Sequence, residues 1–468
     1  MKKYILKFSS IILLGLLLQS CLAVKEYERP VDMVATNYFR TDQLSADSLS
    51  VADFSWKEIF RDSLLQQYIE RGLTNNLDIR NALQNIAIAE AYLKQSKAAY
   101  LPTLAVNSQV SRSTSSLNTQ FGQIIGQRVY LTQFDITASA SWEVDVWGKL
   151  NSAEKASKAG YLQTVAAHQA VKSQIVSGIA SAYFQLLTLD EQKGTTLKTI
   201  AIREKNLSTT KALKDAGIVS EVAVKQTNAQ LINAKSSLID IDNSINIVEN
   251  QLSILMGEHP HSIARKSLQE QYVPDDIKTG YPMDLLRNRP DVIAAEMGLI
   301  QAFQLTNVAQ LNMYPSFKLS ATAGLQSVDF SHLFSAQSFL GSLVGGITQP
   351  IFQKRQLKTQ KEVAEAQQEQ ALINFRKSLL TAGQEVSNAL LLFTTQDEII
   401  QYKEEEYKEY QLAAKYSKEL LNHGMVNYLE VLNAEQNALN AQLISIQAQY
   451  TKLNALVQLY NALGGGWK

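Results

Sequence analysis

Five histidines, one cysteine and a few acidic clusters are the residues of this chain that could do chemistry, and their spacing assembles none of the usual centres. His168, His259, His261, His332 and His423 are scattered. Only His259-Pro260-His261 places two imidazoles together, and without an acidic or thiol companion it reads as loop. Gly464-Gly465-Gly466 ends a helical stretch instead of opening one, which argues against a phosphate cradle. Glu404-Glu405-Glu406 sits in a highly charged run and reads as a solvated helix face. Cys21 is the only thiol, so it has no disulfide partner in the chain. The chain therefore reads as a protein that is not an enzyme, with no cofactor and no metal. What remains is one polar helix face, with Asn427, Glu430, Asn433, Asn437 and Asn440 opposite Tyr428, Leu432, Leu439, Leu443 and Ile446. Asn427-x-x-Glu430 has the spacing of a capping box, which would tie the Glu430 carboxylate to the start of its own helix.

That face belongs to a proline-free stretch bounded by Gly424 and Gly464. A second copy runs from Gly217 to Gly257 at a constant offset of 207 residues without a gap. Identities include Val224/Val431, Asn233/Asn440, Ala234/Ala441, Ile239/Ile446 and Leu252/Leu459. Equal length with both glycines in register marks an internal duplication. Before each copy lies a long proline-free helical run, 151–215 and 353–422. The first, of about 64 residues, makes a rod of about 96 Å at about 1.5 Å per residue. All eight prolines lie outside these helices, as helix geometry requires.

Ahead of each long helix the period changes from 3.6 to 2. Leu104, Val106 and Val110 alternate with polar residues. After a Ser/Thr/Gly-rich loop from Ser113 to about Gln127, strict alternation returns from Phe134 to Val144. Trp142 and Trp147 near its end fit an aromatic girdle. The second half repeats this at an offset of 213 (Asp78/Asp291, Pro102/Pro315), with alternation from Phe317 to Leu325 and a return through Gly341 to Ile347. Residues 62–100 read as helical with a break near 72–77, capped by Asn76 or Asp78. The fold class is mainly α with a β-barrel part, internally duplicated. The expected divisions are a signal peptide at 1–20, a tether at 21–60, a first repeat at 61–258, a linker at 259–290 and a second repeat at 291–468. One chain supplies four strands of bilayer-crossing length, and the smallest membrane barrels have eight. Either copies assemble, or the sheet lies outside a membrane.

The N-terminus has the layout of a secretory signal: Lys2, Lys3 and Lys7, then the apolar run from Ile11 to Leu18, then Cys21. It resembles a bacterial lipoprotein signal with Cys21 as the acylated first residue; the alternative is a signal peptide with an incidental cysteine. No other stretch reaches about 18 consecutive apolar residues, so strands in a closed barrel are the remaining way into a bilayer. Lys+Arg and Asp+Glu balance at 44 each, so no long-range field favours nucleic acid or anionic lipid as a partner.

Five segments in chain order carry a family resemblance: Trp56-Lys57-Glu58-Ile59-Phe60, Tyr100-Leu101-Pro102, the run from Trp142 to Leu150, the run from Asp284 to Asp291, and Tyr428-Leu429-Glu430-Val431-Leu432-Asn433-Ala434. They resemble the TolC/OprM-type outer-membrane efflux ducts, most of all the lipoprotein branch that serves resistance–nodulation–division (RND) pumps. The resemblance implies a homotrimer with a twelve-stranded outer-membrane barrel and a helical tunnel across the periplasm. It implies a periplasmic adaptor and an inner-membrane RND transporter as partners, outer-membrane lipid around the barrel, and passive conduction of small molecules. It also places Glu430 and Asn433, with Asn427 beside them, at the periplasmic aperture. The lipoprotein branch usually has aspartate at Asn433, and a basic residue of some members corresponds to Val426, so this mouth is less charged. Cap and aperture both remain open for Glu430. A type I protein-secretion duct on the same scaffold, and a lipid-anchored helical scaffold that never spans a membrane, are the competing functions.

Overall fold

The computed structural model describes residues 24–30, 50, 53–274 and 284–468, so the signal peptide, Cys21 and parts of the tether and linker lie outside the described residues. The first half contains α1 (Trp56–Ile59), α2 (Ser63–Asn75), α3 (Leu77–Ala98), β1 (Thr103–Thr114), α4 (Gln120–Ile125), β2 (Tyr130–Val144), α5 (Lys149–Asp215) and α6 (Glu221–Leu255). The second contains α7 (Leu285–Asn288), α8 (Pro290–Leu311), β3 (Ser316–Ser327), β4 (Phe339–Thr348), α9 (Gln356–Asn422) and α10 (Tyr428–Ala462). Most equivalent elements match in length, although β2 has 15 residues and β4 has 10. α5 and α9 have 67 residues each, α6 and α10 have 35, α3 and α8 have 22, and β1 and β3 have 12.

The glycines set those lengths. Gly217, Gly257, Gly424 and Gly464 have φ of +74°, +73°, +70° and +95°. Each closes a Schellman motif: the Gly424 N–H donates to Leu421 O at 3.0 Å and the Met425 N–H to Leu420 O at 2.9 Å, with the same pair of bonds at the other three. At the break before α3, Asn76 is the cap, not Asp78. Its Oδ1 accepts the N–H groups of Asp78 (2.8 Å) and Ile79 (3.1 Å) while its Nδ2 donates to Leu255 O at 2.9 Å.

Two boundaries and one loop differ from the sequence expectation. α5 begins at Lys149, before the expected Asn151, because the Asp145 carboxylate accepts the N–H groups of Leu150 (3.0 Å) and Asn151 (2.9 Å) from outside the helix. α9 begins at Gln356 because Lys354 and Arg355 turn with φ of +47° and +68°. The first-half counterpart of Arg355 is Gly148, at φ +78°, so the duplicated turn has kept its backbone and lost its glycine. The expected loop from Ser113 contains α4, capped by Thr119, whose Oγ1 accepts the Gly122 N–H at 3.2 Å.

The four strands form one antiparallel sheet in the order β1-β2-β3-β4. Its register aligns the alternation of all strands. Val106 faces Ala138, Ala138 faces Ala323 and Ala323 faces Gly341 on one side; Asn107 faces Thr137, Thr137 faces Gly324 and Gly324 faces Leu340 on the other. The first side is apolar, with Leu104, Trp142, Phe317, Leu343 and Ile347 all on it. The second carries Gln109, Asp135, Glu143 and Lys318. Within the sheet, the outer edges of β1 and β4 have no partner strand.

The chain groups into two compact units, each drawing on both halves of the sequence. One comprises Met1–Pro30, Ala87–Gln163 and Glu296–Asn374 and holds the sheet. In it residues 24–30 lie along α8: Arg29 binds the buried Glu296 carboxylate through both Nε (2.6 Å) and an NH2 group (2.8 Å), Tyr27 stacks edge-on against Phe303, and the Asn307 side chain donates to Lys25 O. By length and composition α8 is long and apolar enough to cross a bilayer, and its Glu296 is engaged by this strap. Trp147, expected in the girdle, donates to Pro315 O at 2.7 Å and packs edge-on against Tyr314 at the foot of the sheet. The other unit comprises Val31–Ile86, Thr164–Ala295 and Phe375–Lys468. Its core is built around fully buried Tyr183, Phe375 and Tyr460.

A Cβ at Gly464 would lie 2.5 Å from Asn288 O, and at Gly257 2.6 Å from Asn75 O, whereas nothing lies within 4 Å at Gly217. Gly217→Ala should therefore lower stability by about 1–2 kcal/mol from left-handed backbone alone. Gly464→Ala should cost clearly more, because backbone atoms must also move. Thermal unfolding in detergent measures both, and equal losses would show that the Asn288 carbonyl is not the constraint.

Candidate functional site

Beyond Gly424 the chain turns into α10, and the sequence-predicted residues occupy its first two turns. Asn427 is extended (φ −76°, ψ 146°) and its side-chain oxygen accepts the Leu429 N–H at 3.1 Å, so it is the N-cap. Glu430 does not complete the box. Its carboxylate is exposed and has no hydrogen bond or ion pair among the described residues, unlike Glu58, which with Ser55 forms a full capping box at α1. Asn433 is exposed one turn further on. Between them Tyr428, Val431 and Leu432 are buried and fix which way the polar face points. Asn427, Glu430 and Asn433 thus form one solvent-facing patch, held by packing behind it.

A second polar group lies on the opposite side of the same helix. Glu435 accepts two bonds from the Asn206 side chain (3.0 and 2.8 Å) and pairs with Lys418 at 2.6 Å. Next to it the Arg203 guanidinium, 4% exposed, donates to Gln230 O and to Gln436 Oε1, both at 2.6 Å. Burial lowers the Arg203 pKa and the Glu435 charge opposes that shift. These side chains link α5, α6, α9 and α10 within one unit. Sequence reasoning missed the group because it followed the exposed Asn-rich face. The usable signal was Glu435-Gln436 placed among Ala434, Ala438 and Ala441 on the packing side.

The other candidates resolve into local structure. His261 sits with Nδ1 2.8 Å from His259 O and Nε2 3.5 Å from Glu258, an acidic neighbour overlooked in the spacing argument. Gly464 and Gly466, both at φ +95°, shape a C-terminal tail fixed by Lys172 donating to Trp467 O and by Trp467 Nε1 donating to Asn288 O, each at 3.1 Å. Glu406 pairs with Lys403, three residues before it.

Paired long helices with a polar tip, and a sheet with one apolar face and two open edges, define a channel class that combines helical duct and membrane barrel. The chain belongs to the outer membrane efflux protein family, which it matches over residues 68–258 and 281–465, one stretch in each half. It is similar to the cation efflux system protein CusC of Escherichia coli (strain K12), 27% identical over 468 residues covering 97% of this chain and 98% of that protein. It is equally similar to the solvent efflux pump outer membrane protein SrpC of Pseudomonas putida, 27% identical with 99% of each chain covered. Among solved structures, CusC superposes with a TM-score of 0.82 at 25% identity, covering 95% of this chain and 99% of that one. The open state of the MtrE channel of Neisseria gonorrhoeae gives 0.82 at 26%, covering 95% and 98%. The protein is an outer-membrane efflux channel that extends into the periplasm.

Because Asn427 alone makes the cap, Asn427→Ala should cost about 1 kcal/mol of stability. Glu430→Gln should cost about 0.3 kcal/mol, the part due to the helix dipole at an exposed first turn. Denaturant unfolding compares them, and an equal loss would return Glu430 to the cap.

Proposed function

We propose that three copies of this chain close one twelve-stranded barrel and one duct, forming the exit of a tripartite pump with a periplasmic adaptor and an inner-membrane RND transporter. The observation that carries this is the four-stranded sheet with free edges on β1 and β4. A spanning sheet must be closed, and eight strands is the smallest membrane barrel, so other copies are required. The family resemblance supports three as their number. The duct conducts small molecules passively and catalyses nothing. Relatives named for cation, solvent and toluene efflux are each 27% identical to this chain, which agrees with selection residing in the transporter and not in the duct.

Cys21 is the acylated anchor in this proposal. The strap supports it: from Arg29 to Lys25 the chain advances along α8 toward β3, and Val24 lies against Gly148, four residues past the end of β2. Cys21 itself, three residues before Val24 in the sequence, lies outside the described residues.

At the mouth, a trimer brings three Glu430 carboxylates around one axis, flanked by Asn427 and Asn433. An exposed carboxylate with no partner in its own chain among the described residues is suited to attract cations to a constriction.

Two outcomes are expected. Native mass spectrometry of the detergent-purified protein should give three copies per particle, and a stable folded monomer would sink the closure argument. Glu430→Gln should lower cation preference and block by trivalent cations in single-channel recordings under asymmetric salt. Unchanged selectivity and block would remove Glu430 from the pore.

A further inference from the structure

The apolar face of the sheet carries one charge. Arg112 lies on it because it faces Thr132 in the register that puts Val110 opposite Phe134 and Val106 opposite Ala138. Every other residue on that face of β1–β4 is uncharged. Next along the rim, Thr114 faces Tyr130. The Arg112 guanidinium stands over the Tyr130 ring, with Cζ 5.2 Å from its centroid. Tyr130 is 57% exposed, and Arg112 has no carboxylate within ion-pair reach among the described residues. Closing the barrel would not supply one: β4, the strand that offers the other free edge, reads FLGSLVGGIT and contains no acidic residue.

Depth gives this charge its meaning. Trp142, at the helix end of β2, is on the same face and donates its indole N–H to Tyr100 O at 2.8 Å, marking one boundary of the lipid-facing band. Ten residues separate Thr132, the partner of Arg112, from Trp142. At about 3.4 Å per residue that is about 34 Å along the strand, or about 26 Å along a barrel axis at a tilt of about 40°, against an apolar band about 25 Å tall. Arg112 therefore stands at the opposite boundary, on the side away from the periplasmic helices. An arginine in mid-bilayer is strongly disfavoured, while at this level it meets headgroups.

We propose that Arg112, with Tyr130, Thr114 and Thr132, binds the phosphate of a phosphorylated lipid headgroup in the outer leaflet. A guanidinium grips two phosphate oxygens at once, the Tyr130 ring restricts its orientation, and three hydroxyls with no bonded partner among the described residues border it. The site rests on the barrel reading, because only a closed barrel turns this face to lipid.

The test uses full-length protein in detergent, titrated with a diphosphorylated glucosamine-disaccharide lipid or its dephosphorylated form, with bound lipid counted by native mass spectrometry. The wild type should hold the phosphorylated lipid about tenfold more tightly. Arg112→Gln should erase that preference and Arg112→Lys should retain part of it. No preference in the wild type, or an undiminished one in Arg112→Gln, overturns the site. So does displacement of the lipid by millimolar inorganic phosphate, which would make it a simple anion site. Single-channel conductance of the same samples separates the two readings. Conducting wild type and variant with equal lipid binding remove the headgroup site and leave the barrel, while a wild type that never inserts removes both.

Discussion

The free edges of β1 and β4 are the constraint on which the molecule depends. Thr103–Thr114 carries about two dozen backbone N–H and C=O groups, and roughly half of them point to the open edge and meet no partner strand. In hydrocarbon each unpaired group costs several kcal/mol, so the two edges together outweigh the roughly 5–15 kcal/mol by which a folded domain is stable. The apolar face brings the sheet into lipid, and the backbone then forbids it to remain open there. Closure also fixes where the helices start. Val144 and Lys149 are joined by a short turn locked from several directions: Asp145 caps α5, Lys149 pairs with Glu143, and Trp147 is wedged against Tyr314 and Phe317. The tilt of the strands is therefore passed to the first turns of the long helix without a flexible joint.

In the unit that holds the start of α10, arginines shielded from solvent do the tying. Arg265, in the connection between the two halves, is gripped by Asp190 of α5 and Glu249 of α6. Arg289 has Asp291 and Glu385 as partners and donates to Ala462 O at 3.2 Å. Burial works against the Arg289 charge, and the two carboxylates more than offset it. The Asn288-Arg289-Pro290-Asp291 run therefore has a structural cause beyond family resemblance. Asn288 O meets Gly464 and the Trp467 indole, Arg289 holds the end of α10, and Pro290 starts α8. One short segment closes the C-terminus onto the second half.

How much was legible follows from which signals are local. The glycine pairs at offset 207 gave the helix boundaries because a left-handed C-cap is a demand of the backbone alone. Period-2 alternation gave β1, β2 and β3 because one face is apolar but for Arg112, and β4 followed as the return segment. Offset 207 also hid something. It aligns Arg355 with Gly148, and only the backbone angles reveal that a non-glycine residue occupies the left-handed turn. α4 went unseen because its cap, Thr119, lies in a run of Ser, Thr and Asn that reads as loop. At the mouth, Asn427 was readable as a cap from its own neighbours. The Glu435 group was not, since Asn206, Lys418 and Glu435 come together only once three helices are packed.

The duplication also shapes the tips of the long hairpins. By backbone, α6 and α10 are the same 35-residue helix entered from the same glycine turn. Their first two turns differ in chemistry, because Ser220, Ala223 and Gln226 stand where the second copy has Asn427, Glu430 and Asn433. Behind the tip, Asn228 and Ala229 replace Glu435 and Gln436. Ser220 makes no side-chain cap bond, whereas Asn427 does. Within one chain, therefore, two hairpins share a backbone, and only the second carries Glu430 at its tip with the Glu435–Lys418–Asn206 cross-link behind it. The paired glycine turns hold the backbone of α6 and α10 constant while the side chains at their tips diverge, which is why the two helices match in length and differ in chemistry.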